Sequence, residues 1–243
     1  MALNLSKESL SQIFLEAKRR YSEYDRRWIW LAHICHDWRE ISLSCPDLWY
    51  KILLDGTRRI DVELLKVFLE RAQGRLAEIQ TIDQDIIPDS HQIQIIETIL
   101  SSAEHIGSLI IDVLKMFDVY PFDRRMSNLK TLHLFRQWGM DLPEFLPTAD
   151  QFPSLRSLEL AGNMSPWRWP LPLFASLTKL NLDNCWHDYT MDELLDILDI
   201  CSSLQDLRFD RSLPHASGSI VEDGQRRSSS HCVTSDVAFC PSV

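Results

Sequence analysis

Residues 33–49, HICHDWREISLSCPDLW, gather two histidines, two cysteines and two tryptophans in one short stretch. Imidazole and thiolate are the usual ligands of zinc, so the first chemistry these residue types suggest is a metal site. The spacing argues against it. On a helix, at about 100° per residue, Leu31, Ile34, Trp38, Ile41 and Cys45 fall on one stripe, with His33, His36 and Glu40 roughly opposite. Cys35 then lies about 200° round from His33, so the two cannot grip one ion from the same helix. Neither C-x-x-C nor H-x-x-x-H occurs in the stretch, and the apolar stripe is the stronger signal. Nucleophilic chemistry is no better supported. There is no G-x-S-x-G elbow, and no glycine-rich loop to cradle phosphate. Cys185-Trp186-His187 is too close in sequence to count as a dyad, whose members meet through the fold. The expectation is no catalytic residue, no metal and no cofactor: a protein that binds rather than an enzyme.

Composition is consistent with that expectation. The chain has 243 residues, of which 45% are hydrophobic and 25% charged, within the range of globular proteins. The six cysteines, Cys35, Cys45, Cys185, Cys201, Cys232 and Cys240, show no regular spacing and read as reduced thiols. No apolar run approaches the length of a membrane span, and MALNLSKESL lacks the apolar segment of a secretory signal. A cytoplasmic or nuclear location follows as an expectation, with no membrane partner. The formal net charge of −10 argues against a nucleic-acid partner. Charge is unevenly spread. Residues 1–60 carry ten Lys/Arg against eight Asp/Glu, and the remainder fifteen against twenty-seven, so a mildly basic head precedes an acidic body.

The elements that would position these residues begin with helices. NLSKESLSQIFLEAKRR places Leu10, Ile13, Phe14 and Ala17 at i, i+3, i+4 and i+7, with Asn4 or Ser6 as cap and Glu8 at the positive end of the dipole. WIWLAHICHDWREISLSC reads as a second helical stretch ending at Pro46. DVELLKVFLERAQG (61–74) is a third helix, which Asp61 can cap and Gly74 can close. SHQIQIIETILSSAEH (90–105) is a fourth, with Ser90 as cap and Ile93, Ile96, Leu100 and Ala103 along one face.

Further on the chain repeats itself. NLKTLHL (128–134), SLRSLEL (154–160), SLTKLNL (176–182) and SLQDLRF (203–209) share x-L-x-x-L-x-L, and Asn163 and Cys185 stand three residues past the last leucine of their copies. This is the leucine-rich-repeat pattern, in which L-x-L is a short strand with both leucines turned inward. Ile106-x-x-Leu109-x-Ile111 is a plausible earlier copy, and one around Leu76 and Ile79 is fainter. TMDELLDILDIC (190–201) is a helix between two copies, opened by a Thr190–Glu193 capping box. Alternation along each strand turns the intervening side chains outward. These are Thr131, His133 and Phe135; Ser157, Glu159 and Ala161; Lys179, Asn181 and Asp183; and Asp206, Arg208 and Asp210. Stacked strands would join them into one concave-face patch for a target protein. Acidic residues gather at its C-terminal end, which favours a partner with a basic element. In MSPWRWP (164–170), Trp167 and Trp169 pack locally in preference to lining the rim. Residues 213–243, serine-rich and without apolar period, read as a disordered tail.

Residues 5–49 resemble an F-box. The family's opening pattern L-P-x-E-x-L-x-x-I-F is met by Leu5-Ser6-Lys7-Glu8-Ser9-Leu10-Ser11-Gln12-Ile13-Phe14. V-C-R-x-W-R-x-I-A followed by P-x-L-W is met by Ile34 to Ser42 and by Pro46-Asp47-Leu48-Trp49. Ser6 stands where proline is usual and His36 where a basic residue is usual. An F-box followed by irregular leucine-rich repeats is similar to the large F-box-like families of mushroom-forming fungi. The resemblance implies an α/β architecture: an F-box-like helical domain over 1–54 and a short leucine-rich-repeat solenoid over 55–212, with parallel strands on the concave face and helices and loops outside. It also implies a substrate receptor of an SCF-type ubiquitin ligase. Leu5, Leu10, Ile13, Phe14, Ile34, Leu48 and Trp49 would dock on a Skp-type adaptor, and through it on cullin, while the repeats hold the protein to be ubiquitylated. A repeat-based interaction scaffold that acts outside any ligase is the alternative.

Overall fold

The computed structural model describes residues 6–21, 26–54, 60–81, 90–112, 124–136, 147–162, 164, 166–185 and 190–212. Leu5, Asn163, His187 and residues 213–243 lie outside that set.

The head opens with α1, Lys7–Arg20. Ser6 has extended backbone and its side chain accepts from the Ser9 N–H, so serine, not proline, starts this helix. Glu8 in the first turn and Lys18, Arg19 and Arg20 in the last complement the helix dipole. Leu10 and Phe14, one turn apart, are the buried positions. The single helix expected from Trp28 to Pro46 is two elements. A 3-10 helix spans Arg26–His33 and α2 spans His36–Leu43. Cys35 between them is fully extended (φ −155°, ψ 172°). At three residues per turn the 3-10 segment does not carry the 100° stripe forward. Ile34, a member of the apolar stripe, therefore turns out to solvent at 60% exposure, while Trp38 and Ile41 face inward. Pro46–Leu48 form a short 3-10 turn, and the Trp49 indole N–H closes the head by donating to the Ser42 carbonyl at 2.8 Å.

Seven strands follow among the described residues: β1 (Lys51–Leu54), β2 (Ala77–Thr81), β3 (Ile106–Asp112), β4 (Thr131–Arg136), β5 (Ser157–Gly162), β6 (Lys179–Asp183) and β7 (Asp206–Asp210). They form one parallel sheet in sequence order, each strand bonded to the next along the chain. Helix α3 (Ile60–Arg71) lies between β1 and β2 in sequence, α4 (Ser90–Ser101) between β2 and β3, and α5 (Met191–Ile200) between β6 and β7. Gln73 and Gly74 take positive φ (47° and 86°) just past α3, where a helix ends most easily with glycine. Thr190 and Glu193 make the capping box of α5 in both directions. The fold is thus mixed α/β, with a helical head followed by a sequential parallel sheet.

The repeated leucines form two rows of the core. Ile52, Ile79, Leu109, Leu132, Leu158, Leu180 and Leu207 stand in register across all seven strands. A second row, Ile111, Leu134, Leu160, Leu182 and Phe209, runs parallel two residues on. The strand starts are also equivalent. Lys130 O, Arg156 O and Thr178 O each accept two successive N–H groups from the next copy. β1 carries the same frame, Trp49-x-x-Ile52-x-Leu54, with tryptophan in the place of the first leucine. The sheet therefore begins at Lys51, inside the stretch assigned to the head.

Candidate functional site

The residues proposed for adaptor contact separate into two groups. Leu10, Phe14, Leu48 and Trp49 are buried in the core. Phe14 packs edge-on to Trp38, and Trp49 on both Trp28 and Phe68, with ring centroids 5.1 Å apart in each pair. These four act on any partner only through the frame they hold. Ile13 (43% exposed) and Ile34 (60%) face solvent, and with them Trp30 at 73%, which no motif singled out. Trp30 sits one residue before the Leu31 stripe; only the 3-10 winding identifies it as an outer residue. Leu5 lies outside the described residues. A large aromatic and two branched aliphatics left in water, on α1, on the 3-10 helix and in the link that follows it, are the kind of side chains that anchor interfaces.

The head is tied to the sheet through α3. Asp61, expected to cap that helix, is instead fully buried in its first turn and 3.2 Å from Arg26. The same guanidinium donates to the Leu53 carbonyl at 2.9 Å. One side chain thereby joins the 3-10 segment of the head, the first strand and the first helix behind it. Lys18 donates to the Leu48 carbonyl at 2.7 Å and lies over the Trp28 ring.

The outward residues of the repeats come together as alternation requires. Thr131, Ser157, Lys179 and Asp206 form one register row; His133, Glu159, Asn181 and Arg208 a second; Phe135, Ala161, Asp183 and Asp210 a third. Phe135, Arg208 and Asp210 are exposed and the others half-buried, except Ala161, whose methyl is covered. Phe135 at 41% is the apolar point of this face. His133 Nε2 is 3.6 Å from Glu159. Burial holds the His133 pKa below the ordinary value, against the pull of Glu159, so the ring is neutral at physiological pH. The acidic end is internally matched. Arg208 pairs with Asp206 at 3.2 Å, and Arg211 with Asp183 at 3.3 Å and with Asp210 at 3.5 Å. Two guanidiniums thus stand against three carboxylates, which leaves one negative charge at this end, and the pairs, all more than a third exposed, contribute little.

The thiols of the repeats serve packing. Cys185 points its sulfur at the Leu160 carbonyl and Cys201 at that of Phe174. Burial pushes the Cys185 thiol up to about 12 and that of Cys201 to about 11, so neither is a thiolate nucleophile near neutrality. Sequence reasoning missed a further repeated position. Met126, Phe152, Phe174 and Cys201, three residues before each first leucine, are all buried, and each carbonyl accepts from that leucine's N–H. The signal is legible once aligned, as Φ-x-[SN]-L-x-x-L-x-[LF]. Trp169 is buried against Phe174, and Trp167 packs on the same core, as the local-packing reading of 164–170 requires.

Among the described residues no group of three or more His, Cys, Asp or Glu side chains could hold a metal ion, and no helix is long and apolar enough to cross a membrane. No protein-family model matches this sequence, and no curated protein is detectably similar to it.

Proposed function

We propose that this chain is a substrate receptor of an SCF-type ubiquitin ligase, built as an F-box-like head followed by a leucine-rich-repeat array. The head docks on a Skp-type adaptor and thereby on cullin, and the open face of the sheet holds the target. The observation that carries the reading is the register of the leucine rows across a sequential parallel sheet, directly after a head with the F-box pattern of residues 5–49. Such a protein does no covalent chemistry. It raises the effective concentration of a target lysine beside a charged conjugating enzyme. Among the described residues of the head, Ile13, Trp30 and Ile34 are the large apolar side chains exposed to a partner.

Ile13→Asp combined with Ile34→Asp, in the full chain, should abolish co-purification with a Skp-type adaptor while the urea midpoint stays that of the parent. Undiminished adaptor capture by the folded double variant overturns the reading. Leu10, Phe14, Leu48 and Trp49 are unsuitable probes, because their substitution empties the core. The tie between Arg26, Asp61 and Leu53 favours a second reading, in which the head is the cover of the sheet's first end and the chain is an interaction scaffold outside any ligase. That reading requires the parent protein to ignore the adaptor and still hold a partner on the open face.

A further inference from the structure

The open face does not stop at β4. Beside the head, α1, the Pro46–Leu48 turn and strands β1–β3 enclose a cleft of about 660 Å³, within the size range of ligand sites. The outward side chains of β1–β3 line it, among them Leu53, Gln80, Ser108 and Ile110, together with Leu15 and Trp28 of the head. Ser108 and Ile110 stand in register with Thr131 and His133, so this lining runs without a step into the face already described. A chain lying along that face has a pocket at one end and open solvent at the other.

The cleft is also where the face carries a surplus of cations. Lys18, Arg19, Lys51 and Arg75 line it against Asp47 and Glu78, in a protein whose overall charge is −10. The Tyr50 ring gathers two of these cations, with Arg75 at 5.0 Å and Lys51 at 5.8 Å from its centroid. Lys51 pairs with Glu78 at 3.4 Å and Arg75 with Asp47, but all four side chains are about half exposed. Ion pairs of that kind contribute little, so an entering carboxylate can share the cations at small cost. The far end of the face, by contrast, sets Asp183, Asp206 and Asp210 against Arg208 and Arg211 and so has no surplus of cations.

We propose that this cleft receives an acidic segment of the protein bound on the open face, with a carboxylate seated between Lys51 and Arg75 and its apolar neighbours on Leu53 and Ile110. The inference rests on the open face being the partner surface, and adds the partner's charge and direction: its acidic stretch lies next to the head.

The purified full chain, without adaptor, is titrated with short fluorescein-labelled peptide pools carrying a block of Glu, Gln or Lys, and binding is read by fluorescence anisotropy. The Glu pools should bind roughly tenfold more tightly than the Gln pools, and Lys pools more weakly still. Lys51→Glu with Arg75→Glu should erase that preference, whereas the same charge change outside the cleft, Lys66→Glu with Lys130→Glu, should preserve it. Should the reversal unfold the head, Lys51→Gln with Arg75→Gln should still reduce it. Amide shifts on adding the Glu pools should centre on Ser108 and Ile110. Equal binding of Glu and Gln pools, or a preference untouched by the cleft variants, overturns the proposal. Acidic-peptide binding that persists while open-face substitutions release no partner would instead count against the function proposed above.

Discussion

A methyl group placed on Gly107 would stand 2.9 Å from Cβ of Leu76, closer than packed carbons tolerate. The same residue absorbs a slip in the sheet. Ala77 pairs with Ile106 and Glu78 with Ser108, which leaves Gly107 as the extra residue of a bulge. Its carbonyl accepts the Lys130 N–H at 2.8 Å, and from Ser108 onward β3 pairs with β4 without a shift. Gly107→Ala should destabilise the protein by about 1–3 kcal/mol through overpacking. Leu76→Ala added to it should return little of the loss, because the clashing Cβ stays in place and only the 3.3 Å approach of Cδ1 is relieved. Equal urea midpoints for parent and Gly107→Ala would refute this account. Glycine here answers a close approach of side chain to backbone, and nothing in its local sequence announces that.

Among the elements, the junction of head and sheet is the most consequential and was the least readable. Arg26 and Asp61 are 35 residues apart, and a buried ion pair at that separation has no local signature. Asp61 looks like a helix cap because aspartate before an apolar run usually is one. Arg26→Met should cost on the order of 3 kcal/mol by depriving a buried carboxylate of its arginine. Asp61→Asn in the same chain should recover part of that by removing the charge. A variant lacking Arg26 that melts with the parent would show that the pair is no lock. The repeats, in contrast, were legible wherever leucine filled all three places, as at 129, 132 and 134. β1 escaped because Trp49 takes the first place and the strand follows directly on the head. The exposure of Ile34 is not legible in the stripe for a related reason: a period of 3.6 does not hold across a segment wound at three residues per turn. Of the outward positions, alternation alone gives the three rows, but it cannot show that Arg211, past the end of β7, is shared between Asp183 and Asp210.

For the molecule as a whole, each strand pairs only with its neighbours in sequence, so stability accumulates from copy to copy. The central and terminal leucines of one row should then differ. Leu158, fully buried between β4 and β6, should cost about 2–5 kcal/mol on truncation to alanine. Leu207, half-buried in the last described strand, should cost less, since less apolar surface is withdrawn from water there. Equal losses in urea denaturation would mean that the end of the array is covered as well as its middle. The strand order has one more consequence, for the time at which structure is acquired. A sheet whose spatial order is its sequence order asks no strand to wait for a later one. As the chain leaves the ribosome, β1 can pair once β2 has emerged, and every further strand adds to the edge that has just formed, at the pace of synthesis. Between one addition and the next, the newest edge is the one short row of unpaired backbone groups that the growing sheet presents to the cell on that side.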